Sequence, residues 1–245
     1  MMFTPRARIA LFLAITGSAV QAAPPLPPAL GDLAAPIEAS VQLPGTGVQM
    51  LELADRVVYV AGNGRYAFTG AAWDLWHGEP LESVAQAMAL AARVDLERIA
   101  LDPVELGAFT LGAVTADAQT TQQARAPVWV FVDPSCADCL TLLRGLHASE
   151  AVAHVVLLPI GGAGSLDAAR QLLCAPTEQA AWSALLNRSW AALPKPTEDC
   201  DTQALVRALI TARLLGIDRV PTLIAPDGRL QRGAPADLSA WLAGA

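Results

Sequence analysis

Residues 127–146 leave this chain few choices of fold. Val128-Trp129-Val130-Phe131-Val132 is an apolar run rich in β-branched and aromatic residues, the pattern of a central strand. Asp133-Pro134-Ser135 stops it. Cys136-Ala137-Asp138-Cys139 then opens a helical repeat continued by Leu140, Leu142, Leu143 and Leu146. A strand, a short turn and CxxC at a helix start carry a mechanism. Unpaired backbone N–H groups and the positive helix end stabilise a thiolate on the first cysteine. The second cysteine, one turn along, can resolve a mixed disulfide. A zinc site would need two further ligands, for which Cys174 and Cys200 are available, and a purely structural CxxC disulfide is the other alternative. Redox chemistry is the reading preferred, with no cofactor and no metal.

The compartment supports it. Arg6 and Arg8 precede an apolar run over 9–19 that ends in Val20-Gln21-Ala22, which predicts a secretory leader over 1–22 cut before Ala23. Cysteines of an exported protein pair as disulfides. Four cysteines permit three pairings, and the short CxxC loop favours 136 with 139 and 174 with 200. The second pair would tie down an insertion that includes Trp182 and Trp190, worth roughly 3–4 kcal/mol in the chain-entropy picture. Lys+Arg 16 against Asp+Glu 23 gives a net charge of -7, with no basic block. That argues against nucleic acid as a partner.

Beyond the insertion, residues 202–215 read as a helix with Leu205, Leu209 and Ala212 along one face, ending at Gly216. Arg219-Val220-Pro221-Thr222-Leu223-Ile224 follows as a strand, then a turn at Pro226-Asp227-Gly228, a returning strand and a final helix over 237–242. Proline is awkward in a strand ladder. A cis Val220–Pro221 bond would make it a tight bend beside the redox pair. Before the redox segment, 48–53, 56–60 and 65–69 read as strands around an Ala61-Gly62-Asn63-Gly64 turn, with Tyr66 and Phe68 on one face. Leu81, Val84, Met88 and Ala91 recur at helical spacing and predict a helix over 81–99, with Pro80 just before it. That helix is either a connection between domains or a packed helix within one. Residues 103–123 read as loop or irregular edge.

FVDPSCADC, the later Cys174, the CDTQ cysteine and GIDRVPTLIAPDGRLQRG together resemble the periplasmic protein-disulfide isomerases DsbC and DsbG. The hairpin VVYVAGNGRYAFTG is similar to their small dimerisation domain. The resemblance implies an α/β fold. A thioredoxin-like catalytic domain with a helical insertion (101–245) would follow a small α+β, cystatin-like dimerisation domain (23–78) and a linker helix (79–100). It makes Cys136 the attacking thiolate, Cys139 its resolving partner, Pro221 the cis-proline after Val220, and Cys174 with Cys200 the structural disulfide. It also implies a periplasmic homodimer whose cleft holds misfolded or wrongly disulfide-bonded exported proteins, kept reduced by a membrane thiol-reductant donor of the DsbD type. This sequence departs from that pattern in three places. Ala137-Asp138 stands where the isomerase has Gly-Tyr, Val220 stands where it has Thr, and 100–123 is longer. Asp138 should disfavour a thiolate, and with Asp133 it is placed to tune the pair. The redox class is unaffected. Isomerase, dedicated reductase or oxidase for a narrow client (cytochrome c maturation or a secretion component), and cleft-based chaperone stay open as roles.

Overall fold

The computed structural model describes residues 36–112, 126–149 and 151–244. The leader and residues 113–123 of the expected loop lie outside the described residues. Strands β1 (Ala39–Gln42), β2 (Val48–Leu53), β3 (Arg56–Ala61) and β4 (Ala67–Thr69) form an antiparallel meander in that order. Met50 of β2 and Tyr59 of β3 are register partners, and both are buried. Helix α1 (Val84–Ala91) lays Val84 and Ala87 on them, which closes a small core. Ser83 caps α1 by accepting from Gln86 N, and the Glu52 carboxylate accepts from Val84 N at 2.9 Å, a negative charge at the positive helix end.

The helix is shorter than the 81–99 expected from the sequence. Pro80 does not open it, because it belongs to β6 (Glu79–Pro80), which pairs with β5 (Trp73–Asp74). Leu81 precedes the cap, its carbonyl accepting from Tyr59 Oη at 3.2 Å. The apolar recurrence lasts only two turns, and Met88, expected on the buried face, is 55% exposed.

The remaining elements build one five-stranded sheet. They are β7 (Phe109–Leu111), β8 (Val128–Val132), α2 (Ala137–Ala148), β9 (Ala153–Leu157), α3 (Ala163–Leu173), α4 (Glu178–Asn187), a single 3-10 turn (Trp190–Ala192), α5 (Gln203–Leu214), β10 (Thr222–Ile224), β11 (Leu230–Arg232) and α6 (Leu238–Ala243). The strand order is β11-β10-β8-β9-β7, and only β8 and β9 run parallel. A β8–α2–β9 unit followed by α5 and a β10–β11–α6 unit is a thioredoxin-like fold, with α3 and α4 as its helical insertion. β8 is buried on both faces, as its unbroken apolar run demands. Val128, Val130 and Val132 face α2, α4 and α6, while Trp129 and Phe131 face α5. The buried stripe of α5 is Ala204, Leu205, Ala208 and Ala212; Leu209, expected on that face, is 39% exposed. Small residues there let the helix lie close against the aromatic face of the sheet.

An extended segment joins the two units where a helix was expected. Val94 N donates to Gly228 O and Leu230 N donates to Ala92 O, both at 2.8 Å, and Arg93 bridges to Arg229. Residues 92–94 thus satisfy their backbone groups at the edge strand β11, which outweighs helix continuation. At the other end of the interface, α5 stops in a Schellman cap. Ile217 N donates to Ala212 O, Gly216 N donates to Arg213 O, and Gly216 sits at φ 65. A side chain on Gly216 would also overlap Pro44 of the β1–β2 turn, so glycine permits both the cap and the close approach of the two units.

Candidate active site

Cys136 is the N-cap of α2, in extended backbone at φ -79 and ψ 120, and its Sγ accepts from Cys139 N at 3.1 Å. The sulfur therefore occupies the place where a capping oxygen would normally sit, facing the unpaired amides of the first turn. Cys136 is half-buried, while Cys139 is fully buried in the core beside Leu140 and Leu143. Only the first sulfur can meet a disulfide on another protein. The two are joined here as a disulfide, with Cα atoms 5.3 Å apart. Asp138 lies exposed in the first turn. Its charge favours the helix end but opposes a thiolate at Cys136.

Asp133 does more than end the strand. Its carbonyl accepts from Cys136 N at 3.0 Å. Its carboxylate is 3% exposed and accepts from Ser135 N at 2.7 Å, Gly161 N at 2.7 Å and Ser165 Oγ at 2.5 Å. One buried charge thereby fixes the redox turn to the loop after β9 and to the first turn of α3, with donors directed at it.

A further group was not foreseen. Arg188 is the only non-glycine residue at positive φ among the described residues, at 54°, and it ends α4. Its Nη2 donates to Ser135 O at 3.4 Å, next to Cys136. Arg144 of α2 reaches the other way, donating to Leu186 O at 2.7 Å. The insertion thus carries a cation to the redox turn, opposite in sign to Asp138. Arg188 lies 52 residues beyond Cys136 in sequence, and nothing in its neighbourhood singles it out.

The Val220–Pro221 bond is cis. Pro221 is buried and its carbonyl accepts from Gly233 N at 2.7 Å. Val220 packs against both cores of the sheet, and Cys136 packs against the first of them. Cys174 and Cys200 are joined as a second disulfide, with Cα atoms 5.8 Å apart, linking the C-cap of α3 to the segment before α5. It closes the insertion and has no part in the redox turn. Among the described residues, no group of three or more His, Cys, Asp or Glu side chains is placed to hold a metal ion, and no helix is long and apolar enough to cross a membrane.

No protein-family model matches this chain, and no curated protein matches it. Solved structures do. A periplasmic thioredoxin-like protein from Salmonella enterica serovar Typhimurium is similar at 22% identity and a TM-score of 0.46, over 62% of this chain and 96% of that one. A disulfide interchange protein from Neisseria gonorrhoeae is similar at 21% and 0.45, over 59% and 97%. Helicobacter pylori DsbG is similar at 14% and 0.38, over 75% and 91%. The functional reading stands on the chain's own residues. By its strand order and connectivity the domain around Cys136 is thioredoxin-like.

Proposed function

We propose that this chain is a periplasmic thiol–disulfide oxidoreductase that reduces or isomerises incorrect disulfides in exported proteins. One observation carries the reading: a half-exposed Cys136 sulfur caps α2 while its partner Cys139 is sealed in the core. In the reduced protein the Cys136 thiolate attacks a substrate disulfide, forming one S–S bond and releasing one substrate thiolate. Two exits follow. The released thiolate, or another on the substrate, attacks the mixed disulfide and leaves a rearranged substrate with Cys136 free; this is isomerisation and transfers no net electrons. Alternatively Cys139 attacks Cys136, the substrate departs as a dithiol, and the protein is left with the 136–139 disulfide. The second exit requires a dithiol donor, which in this reading is a membrane protein of the DsbD type.

The meander supports assembly as a homodimer. β4 is an edge strand, Phe68 and the adjacent Tyr66 are 54% and 50% exposed, and such an edge can pair with a second copy. The test is trapping. Replacing Cys139 by Ala removes the second exit, so exported proteins with two or more cysteines should accumulate on Cys136 as mixed disulfides. If Cys139→Ala protein, expressed with its leader, carries no disulfide-linked partners, the reading is wrong.

A further inference from the structure

The docking of the two units leaves a groove of about 850 Å³ that opens beside the cis-proline loop. A smaller cavity of about 350 Å³, lined by Trp73, Trp76 and Leu214, lies between the same units but includes no residue of that loop. The larger groove has an apolar floor of Ile160, Met88 and Leu209, which are 47%, 55% and 39% exposed. Its charged groups are Arg213, Arg219, Arg232 and the single carboxylate Asp218. Asp218 pairs with Arg219 at 3.3 Å, and among the described residues neither Arg213 nor Arg232 has a carboxylate within 4.0 Å. Arg232 is half-buried and donates to Ala91 O and Gly216 O, one carbonyl from each side of the interface. Burial lowers its pKa, with Asp218 acting against that fall and Arg219 adding to it. A net positive groove is unexpected in a chain of net charge -7.

We propose that this groove holds an extended, acidic and apolar stretch of the substrate polypeptide while Cys136 attacks a disulfide next to it. The inference rests on the redox reading for its purpose and on charge complementarity for its occupant. Ile160 of the floor directly precedes Gly161, whose N–H bonds Asp133, and Arg219 of the rim directly precedes Val220. The groove and the redox turn are thus linked through both of these segments, and a substrate strand reaching Cys136 from this side would extend along the groove. Its alternate side chains would meet the apolar floor and the arginine rim.

The test uses the full-length oxidised protein and a fluorescein-labelled, cysteine-free peptide of alternating Leu and Asp, with a Leu/Lys peptide as control. Fluorescence anisotropy should show the acidic peptide binding about tenfold more tightly at low salt, the difference closing towards about 1 M salt. Arg213→Glu should weaken the acidic peptide about fivefold, and Arg213→Lys should restore most of the loss. Equal affinity for the two peptides, or an Arg213→Glu variant that still prefers the acidic one, overturns the proposal. So does an Arg213→Glu variant that changes only the mass seen by light scattering, which would make a second copy the occupant. Reaction of the reduced protein with hydroxyethyl disulfide separates the two readings. A wild-type protein that binds the acidic peptide but does not react with the disulfide would leave the groove standing while the redox reading falls, and one that reacts with the disulfide but shows no preference for the acidic peptide would do the reverse.

Discussion

Replacing Asp133 by Ala should destabilise the fold by about 3 kcal/mol, a figure that follows from where its three donors end up. Ser135 and Gly161 are exposed, so their amides can turn to water once the carboxylate is gone. Ser165 is 2% exposed, and its hydroxyl would be left buried without a partner. An orphaned buried donor costs about 1–3 kcal/mol, and each lost bond to a charged acceptor about 1.5–3, offset by no longer burying the charge. The same reasoning makes a sharper prediction. Asp133→Ala combined with Ser165→Ala should be about 1–2 kcal/mol more stable than Asp133→Ala alone, because the second change removes the orphan. Urea unfolding of the oxidised proteins, followed by circular dichroism with slopes compared across the series, measures both effects. Asp133→Ala within about 0.5 kcal/mol of wild type, a change typical of surface sites, would refute the clamp. A double variant no more stable than the single would refute the assignment to Ser165.

Three further outcomes are expected. Arg188→Ala should slow the reaction of reduced Cys136 with iodoacetamide near pH 6 by about threefold, and Asp138→Ala should speed it by a similar factor, both fading in high salt. Gly216→Ala should cost about 2 kcal/mol, from the left-handed backbone and the overlap with Pro44, and should loosen the two units when probed by limited proteolysis. His154 has its pKa lowered by burial, against an opposing pull from Glu178, and its Nδ1 is buried without a partner. The unfolded chain therefore takes up this proton first as pH falls below 6.5, so stability should drop from there towards the lower folded value. His154→Phe should flatten that limb of a stability-against-pH curve.

What could be read from sequence was local. β8, the turn and α2 are legible because a strand buried on both faces must be apolar throughout and because a CxxC pair at a helix start favours thiolate chemistry. The Schellman glycine and the hairpin ending at Thr69 are legible for similar reasons. β9 escaped, since Val155-Val156-Leu157-Leu158 has no period that separates strand from helix. β7 escaped because three residues are too few to show one. The helix over 81–99 was overread because residues 92–94 meet the edge of β11, a contact some 135 residues away in sequence. Leu209 falls on the predicted face by its spacing from Leu205 and Ala212, whereas the stripe that packs inward is Ala204, Leu205, Ala208 and Ala212, three of them alanines whose small side chains give no apolar periodicity to read. The bonds from Gly161 and Ser165 to Asp133, and from Arg188 to Ser135, each span more than 25 residues, and no spacing rule reaches that far.

The account's central claim is that Cys136 alone is the nucleophile towards substrate disulfides, activated by its place at the head of α2. Alkylation of the reduced full-length protein across pH, with each site quantified by mass spectrometry, tests this most directly. Cys136 should be labelled first, with an apparent pKa below the free value of about 8.5, while Cys139 stays protected until the protein unfolds. Preferential labelling of Cys139, or a Cys136 that titrates above the free value, would contradict the account.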